Sequence, residues 1–377
     1  MNRAILAVLL ALILFSSACR PSTSEPADRA SPRGEVLSRA GPLVDPGDVV
    51  DVLPRDGIPS IDDPRFVVPG KATWLAGREP VVALDVDGDA RAYPAQIMTR
   101  HEIVNDVVGG RPVAVTYCPL CNSALVFERT VEGRILEFGV SGKLYRSALV
   151  MYDRQTESLW THFQGRAFEG QLTGTTLEIV PAQMLSFDEW RRSYPDGRVL
   201  SRDTGYAVEY GTNPYEGYDR REGPYESFFD QAVDPRLPSM HRVVGVSPGA
   251  AAVAYPYRYL VDRGKGAGVI QDRVEGENLV VFWRAGTASA VDAADIARGR
   301  DVGATGVFST IVGARALSFT VAGAGFRDKE TGTTWSLTGL ALAGPLEGAR
   351  LRPLEHLDTF WFAWAAYHPD TTIHEEQ

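Results

Sequence analysis

Between residues 81 and 370 the chain passes through one series of motifs twice, in the same order. Val81-Val82-Ala83-Leu84 leads to Ala92-Tyr93-Pro94, and Val243-Val244-Gly245-Val246 leads at the same spacing to Ala254-Tyr255-Pro256. Asn105-Asp106 before Val113-Ala114-Val115 matches Gln271-Asp272 before Leu279-Val280-Val281. Asp153-Arg154-Gln155-Thr156 up to Trp160 matches Asp328-Lys329-Glu330-Thr331 up to Trp335, and Trp190 with Pro195-Asp196 matches Trp364 with Pro369-Asp370. Chance matches do not stay collinear, so the pattern constrains the chain to two copies of one unit.

Each copy reads as short β-branched runs separated by Gly-rich turns. The runs are Val81–Val86, Val113–Tyr117, Ala124–Arg129, Ile135–Val140 and Ala148–Asp153, then Leu279–Trp283 and Ala316–Val321. Glu132-Gly133 between two runs predicts a hairpin. Pro94 to Asn105 predicts a short helix. Ser186 to Tyr194 predicts another, with Ser186 as N-cap and Glu189 three residues on, and Asp358 to Tyr367 is its counterpart. The expected fold is a β-rich α+β class: two tandem homologous repeats of short antiparallel strands with one or two short helices each. The first repeat is placed at 41–196 and the second at 241–377. The segment 197–240 between them carries Gly211-Thr212-Asn213-Pro214-Tyr215-Glu216-Gly217-Tyr218-Asp219, then Tyr225, Phe228 and Phe229. A long loop rich in aromatics is expected to pack along the seam.

Residues 1–18 read as a targeting segment. Arg3 gives the positive n-region, and Ala4 to Phe15 is an apolar run of h-region length, too short for the roughly 20 residues of a membrane span. Ser16, Ser17 and Ala18 lead into Cys19, which resembles a lipoprotein signal: cleavage before Cys19 and a lipid on its thiol. Residues 19–40, rich in Ser, Pro, Ala and charge, read as a disordered tether. The expected location is therefore outside the cytosol, anchored by lipid to a bacterial membrane and facing the periplasm or the cell surface. A net charge of -10 with no basic cluster argues against nucleic acid as a partner. Export also lets a vicinal cysteine pair oxidise.

The duplication separates architecture from chemistry. Features in both halves, such as Asp153-x-x-Thr156 and Asp328-x-x-Thr331, read as Asx-type turns, with Trp160 and Trp335 as core anchors. Features in one half are functional candidates. Cys118 aligns with Arg284, Cys121 with Thr287, His101 with Ala267, and Lys143 and Arg146 with Ser318 and Val321. Apart from Cys19, Cys118 and Cys121 in Thr116-Tyr117-Cys118-Pro119-Leu120-Cys121-Asn122 are the chain's only cysteines.

Three readings of that pair stand open. The first is a redox dithiol. Its Cys118 is the attacking thiolate, presented at a strand end, and its Cys121 is the enclosed resolving thiol. His101, Lys143 or Arg146 is the cation that lowers the thiol pKa, and the partner is an unknown redox protein or small substrate. The second is a copper or zinc site made by Cys118, Cys121 and His101, with His162 or Glu102 completing the shell. The third is a structural disulfide in a binding scaffold, weakly stabilising because so short a ring closes little entropy. Asn122 after Cys121 rules out the haem-attachment pattern. The strand-like Asn122–Phe127 run argues against a thioredoxin fold. Ser141-Gly142-Lys143-Leu144-Tyr145-Arg146 is cationic but lacks the spacing of a P-loop. His356, His368 and His374 read as structural or surface residues.

Taken together, His101-Glu102-Ile103-Val104-Asn105-Asp106, the Thr116–Cys121 motif, the Ser141–Trp160 stretch and Asn213-Pro214-Tyr215-x-Gly217-Tyr218-Asp219 resemble the bacterial and archaeal family called domain of unknown function 3179. The resemblance runs from about residue 50 to the C-terminal end and brings no established activity. It implies relatives with selenocysteine inside the pair, and selenium, a better nucleophile and leaving group than sulfur, favours redox chemistry. His162 stands where the resemblance implies Gln, which weakens it as a shared metal ligand.

Overall fold

The structure, a computed structural model, describes residues 43–261, 266–323 and 325–375. The leader, Cys19 and the tether up to residue 40 lie outside them. The fold is β-rich, with many short antiparallel sheets and four short α-helices among the described residues.

The chain first builds a hairpin from Pro80–Val86 and Asp89–Pro94. Asp87 and Gly88 between them both have positive φ (52° and 88°), the two-residue turn whose twist suits a hairpin. Gln183–Ser186 pairs antiparallel on one side, and Arg198–Leu200 pairs parallel on the other. In the later part of the chain, Arg242–Val246 and Val253–Pro256 form a hairpin. Leu357–Phe360 pairs antiparallel with the first of these strands, and Thr372–Ile373 parallel with the second.

Each hairpin leads through a helix into a three-stranded antiparallel sheet. Ala95–His101 precedes Ile103–Val108, Arg111–Cys118 and Ser123–Glu128. The one-turn helix Tyr257–Leu260 precedes Ala267–Val274, Glu277–Arg284 and Ala304–Ser309. Next come Phe138–Tyr145, Ala148–Asp153, Leu159–Thr161 and Ala167–Glu169, with Val49–Asp51 added on the edge. Later in the chain, Phe319–Ala322, Gly325–Asp328, Thr334–Trp335 and Ala341–Ala343 form another antiparallel sheet.

The Asx turns take their expected form. Asp153 accepts from the Thr156 N–H and hydroxyl and from the Trp160 indole at 3.0 Å. Asp328 accepts from Thr331 in the same way and from the Trp335 indole at 2.9 Å. Both indoles are fully buried. Glu132-Gly133 also turns as expected, with both φ angles positive between Thr130–Val131 and Arg134–Ile135. Ser186 caps Phe187–Ser193 by accepting from the Glu189 N–H at 3.2 Å.

Three elements differ from expectation. The helix expected to reach Asn105 stops at His101, because Glu102 turns left-handed (φ 57°) and its N–H closes back on the Met98 carbonyl. The strand expected over Ile135–Val140 is broken, because the Phe138 N–H donates to Asn105 Oδ1 and the Leu136 N–H to the Arg129 carbonyl. The helix expected from Asp358 starts at Trp361, because residues 357–360 are held in the sheet with 242–245. The hairpin from Phe138 to Asp153 is also much longer than that from Phe319 to Asp328. Lys143 and Arg146 lie in its extra length rather than opposite Ser318 and Val321.

The 197–240 segment packs against both flanking parts. Asn213 and Gly217 bond the backbone of Ala294, Ala293 and Asp292, while Arg100 donates to the Thr212 carbonyl at 3.0 Å. Tyr218 meets Phe360, and Phe229 meets Phe362, edge to face.

Candidate functional site

Cys118 is the last residue of its strand and pairs with Ser123 across a tight loop. Pro119 opens the loop, and Asn122 (φ 51°) closes it by donating its N–H to the Pro119 carbonyl at 3.1 Å. This folds Cys121 back on Cys118, with the two unbonded sulfurs 2.8 Å apart.

The neighbouring hairpin completes the site. Arg146 and Ser147 form its turn, between the paired residues Tyr145 and Ala148, and both have positive φ (52° and 65°). Neither is Gly or Asn, so the backbone is strained there. The turn brings the Ser147 carbonyl to 3.6 Å from Cys121 Sγ and 3.9 Å from Cys118 Sγ. The Cys121 thiol donates to Cys118 Sγ at 2.8 Å.

This arrangement divides the pair. Burial raises the Cys118 pKa, but the hydrogen bonds from Cys121, Leu149 and Leu120 favour the thiolate and bring it below the ordinary thiol value. Burial, and then the neighbouring Cys118 sulfur, push Cys121 well above it. The Cys121 thiol leads these donors and main-chain groups follow, so no cation is required.

The cations expected at the pair are bonded to other groups. His101 donates from Nδ1 to the Pro59 carbonyl at 2.7 Å, so its Nε2 accepts from the Tyr210 hydroxyl at 2.5 Å. Burial lowers its pKa, and it pins the Tyr206–Tyr210 loop as a neutral ring. Lys143 pairs with Asp51 at the sheet edge. Arg146 donates to the Ala366 carbonyl and lies over the Tyr145 and Tyr367 rings. His162 also turns inward. Thr116 gives its hydroxyl proton to the Leu125 carbonyl and therefore accepts from His162 Nε2 at 2.8 Å. With both His101 nitrogens engaged, the metal reading lacks its third ligand. No group of three or more His, Cys, Asp and Glu among the described residues is arranged to hold a metal ion.

The expectation of a presented Cys118 and an enclosed Cys121 needs correction, since Cys118 is 1% and Cys121 0% exposed. The hairpin tip is covered from the far end of the chain. Phe360 N–H and the Thr359 hydroxyl donate to the Cys121 carbonyl at 3.1 and 2.8 Å. Cys118 and Cys121 share one buried core with Tyr117, Tyr218 and Tyr367, and Tyr215 packs against it.

Glu102 is the site residue that sequence reasoning undervalued. Its carbonyl accepts the Tyr117 N–H at 2.8 Å, which places it beside the strand end that bears Cys118. Burial, and then the nearby Cys118, push its carboxyl pKa well up. The sequence offered Glu102 only as a residue completing a metal shell, and could not show its burial beside the strand end that bears Cys118.

The family model described as "Protein of unknown function (DUF3179)" matches residues 55–371. The chain belongs to this family. The matched span contains the Cys118 hairpin, the strained Arg146-Ser147 turn and the Tyr215–Tyr218 loop. No curated protein and no solved structure matches the chain.

Proposed function

We propose that this member of the DUF3179 family is a thiol-based redox protein. Cys118 is the attacking thiolate and Cys121 the resolving thiol. Oxidation of the thiolate and the thiol joins the two sulfurs and releases two electrons and one proton to the oxidant; reduction reverses it. The observation that carries this reading is the approach of the two unbonded sulfurs to 2.8 Å at the hairpin tip, where hydrogen bonding to Cys118 holds its thiol pKa down. A structural bridge has no use for a stabilised thiolate, whereas a nucleophile does. Alkylation of the reduced protein tests the roles. Cys121→Ser should leave a single thiol that iodoacetamide modifies faster at neutral pH than the one left by Cys118→Ser. Equal reactivity in the two variants would overturn the assignment.

The redox unit sits in a chain that we read as two copies of one β-rich unit, about 65–196 and 241–370. The shared order of sheet pairing, the paired Asx turns and the bonds from Tyr93 to Asp106 (2.6 Å) and from Tyr255 to Asp272 (2.9 Å) support the reading. Grafting Asp328–Trp335 in place of Asp153–Trp160 tests it: a folded, thiol-active graft is expected, and a graft that does not fold would contradict it. Placement outside the cytosol by a lipid on Cys19 belongs to the same proposal. The supporting feature is the leader sequence, and Cys19→Ala should release the protein from the membrane fraction.

A further inference from the structure

The two sheet hairpins carry different side chains at the same offsets. Glu79 stands two residues before Val81, and Gln96 three residues after Tyr93. His241 and Arg258 take those places about Val243 and Tyr255. In the earlier hairpin the Gln96 amide donates to the Glu79 carboxylate at 2.7 Å, and Arg202 donates to Gln96 Oε1 at 3.0 Å. Glu79 and Gln96 are both buried, so that corner is filled.

The corner of the later hairpin is open instead. A pocket of about 410 Å³ lies there, within the size range of ligand sites. His241, Arg242, Arg258 and Arg300 all line it. Its lining holds one carboxylate among the described residues, Asp301, which accepts from the Gly286 and Gly303 N–H groups at 2.9 Å. A second, Asp219, is buried outside the lining and meets Arg242 Nη2 at 3.2 Å and Arg300 Nη2 at 3.1 Å. Three guanidiniums against two carboxylates leave the pocket positive, in a chain whose net charge is -10.

Arg242 is only partly used by the protein. Its Nη2 also bonds Ser289 Oγ at 2.8 Å. Its Nε is buried and has no hydrogen-bond partner among the described residues. A buried donor without an acceptor is costly, and guanidiniums grouped in a pocket suit the paired oxygens of a carboxylate or a phosphate.

The remaining walls set the body of the ligand. Trp283 is largely buried, and its indole N–H donates to the Val302 carbonyl at 3.1 Å, so its polar edge is already satisfied. Gly303 leaves no room for a side chain against the same ring. The Tyr257 hydroxyl is likewise engaged, with Asp358 at 2.8 Å. With Pro256 and Val261, these rings give the pocket an apolar side. Such a wall favours a flat apolar body over a fully hydrated ion.

We propose that this pocket binds a small organic anion, a carboxylate or phosphate head on a flat apolar body. The arginines hold the head, and the side formed by Trp283 and Tyr257 holds the body. The inference is independent of the dithiol reading and stands whether or not the Cys pair exchanges electrons.

Calorimetric titration of the full chain with benzoate, phenyl phosphate, benzamide and inorganic phosphate tests it. Benzoate and phenyl phosphate should each bind at one site per chain with a Kd below about 1 mM. Benzamide has the shape of benzoate without its charge, and inorganic phosphate has the charge without a body. Each should bind at least about tenfold more weakly than its counterpart. Arg258 and Arg300 are exposed, so Arg258→Gln and Arg300→Gln should fold as the unaltered chain does. Each should weaken benzoate by about tenfold; the first places in the later hairpin the residue that the earlier one has at Gln96. Arg134→Gln, outside the pocket, should leave binding unchanged. Benzamide as tight as benzoate, or inorganic phosphate as tight as phenyl phosphate, would overturn the proposal. So would equal weakening by Arg134→Gln and Arg258→Gln, which would assign the binding to charge over the whole surface. The four-ligand comparison needs no variant, and absence of heat from both organic anions would refute the site by itself.

Discussion

At the scale of single residues, the site depends on which groups stay neutral. Burial lowers the His162 pKa to about 3. In the unfolded chain the ring titrates near its ordinary 6.5. Between these values the unfolded state binds a proton that the folded state does not, so stability is full above about pH 6.5 and falls as the pH drops toward 3. From pH 7 to pH 5 this one ring should cost about 2 kcal/mol. His162→Gln should remove that part of the acid sensitivity, and urea melts at the two pH values would show it; an unchanged pH slope would contradict it. Asp153 is a second such residue. It is fully buried and holds Thr156 and the Trp160 indole. Asp153→Ala leaves those donors unpaired in the core and should cost about 3 kcal/mol in the same assay. Residue types were also where the sequence was most and least legible. The Cys pair could be read from spacing alone. The Arg146-Ser147 turn that lays the Ser147 carbonyl against both sulfurs could not, because a main-chain carbonyl carries no side-chain signature.

At the scale of elements, the decisive piece is the long hairpin Phe138–Tyr145 and Ala148–Asp153. Its strands were readable from β-branched runs and its Asx turn from Asp153-x-x-Thr156. Its tight turn was not, because Arg146-Ser147 has none of the Gly or Asn that usually marks two consecutive positive φ angles. The same strain makes a prediction. Ser147→Gly relieves an unfavourable φ and should stabilise the fold by about 1 kcal/mol. The Ser147 carbonyl and the Leu149 N–H come from the backbone, so thiolate reactivity at Cys118 should persist. A loss of stability on this change would mean that the Ser147 hydroxyl contributes more than its strained backbone costs. Helix ends were misjudged for a related reason. Pro94 to Asn105 has a continuous helical pattern, but the sheet pairing of Ile103 with Thr116 claims its last residues.

At the scale of the whole molecule, the distant end of the chain seals the site. The Leu357–Phe360 strand belongs to the later hairpin sheet, yet Thr359 and Phe360 hold the Cys121 carbonyl. The 197–240 segment closes another side with Tyr215 and Tyr218. Thr359→Val removes one of these ties and should cost about 1 kcal/mol. It should also speed iodoacetamide alkylation at the pair, since the CxxC tip is freer to open; an unchanged alkylation rate would place the seal elsewhere. The sequence located this seam from its aromatics, but not the direction in which they face, because burial around a dithiol depends on contacts between residues more than two hundred positions apart. The account stands or falls on whether the sealed pair exchanges electrons. The most direct measurement is titration of the Cys118–Cys121 couple in a dithiol redox buffer, with the disulfide fraction read by mass after alkylation. The account predicts one internal disulfide, a two-electron transition and a potential above the roughly -300 mV of inert structural bridges. A pair that stays reduced against every oxidant, or a bridge that forms only below that potential, would contradict it.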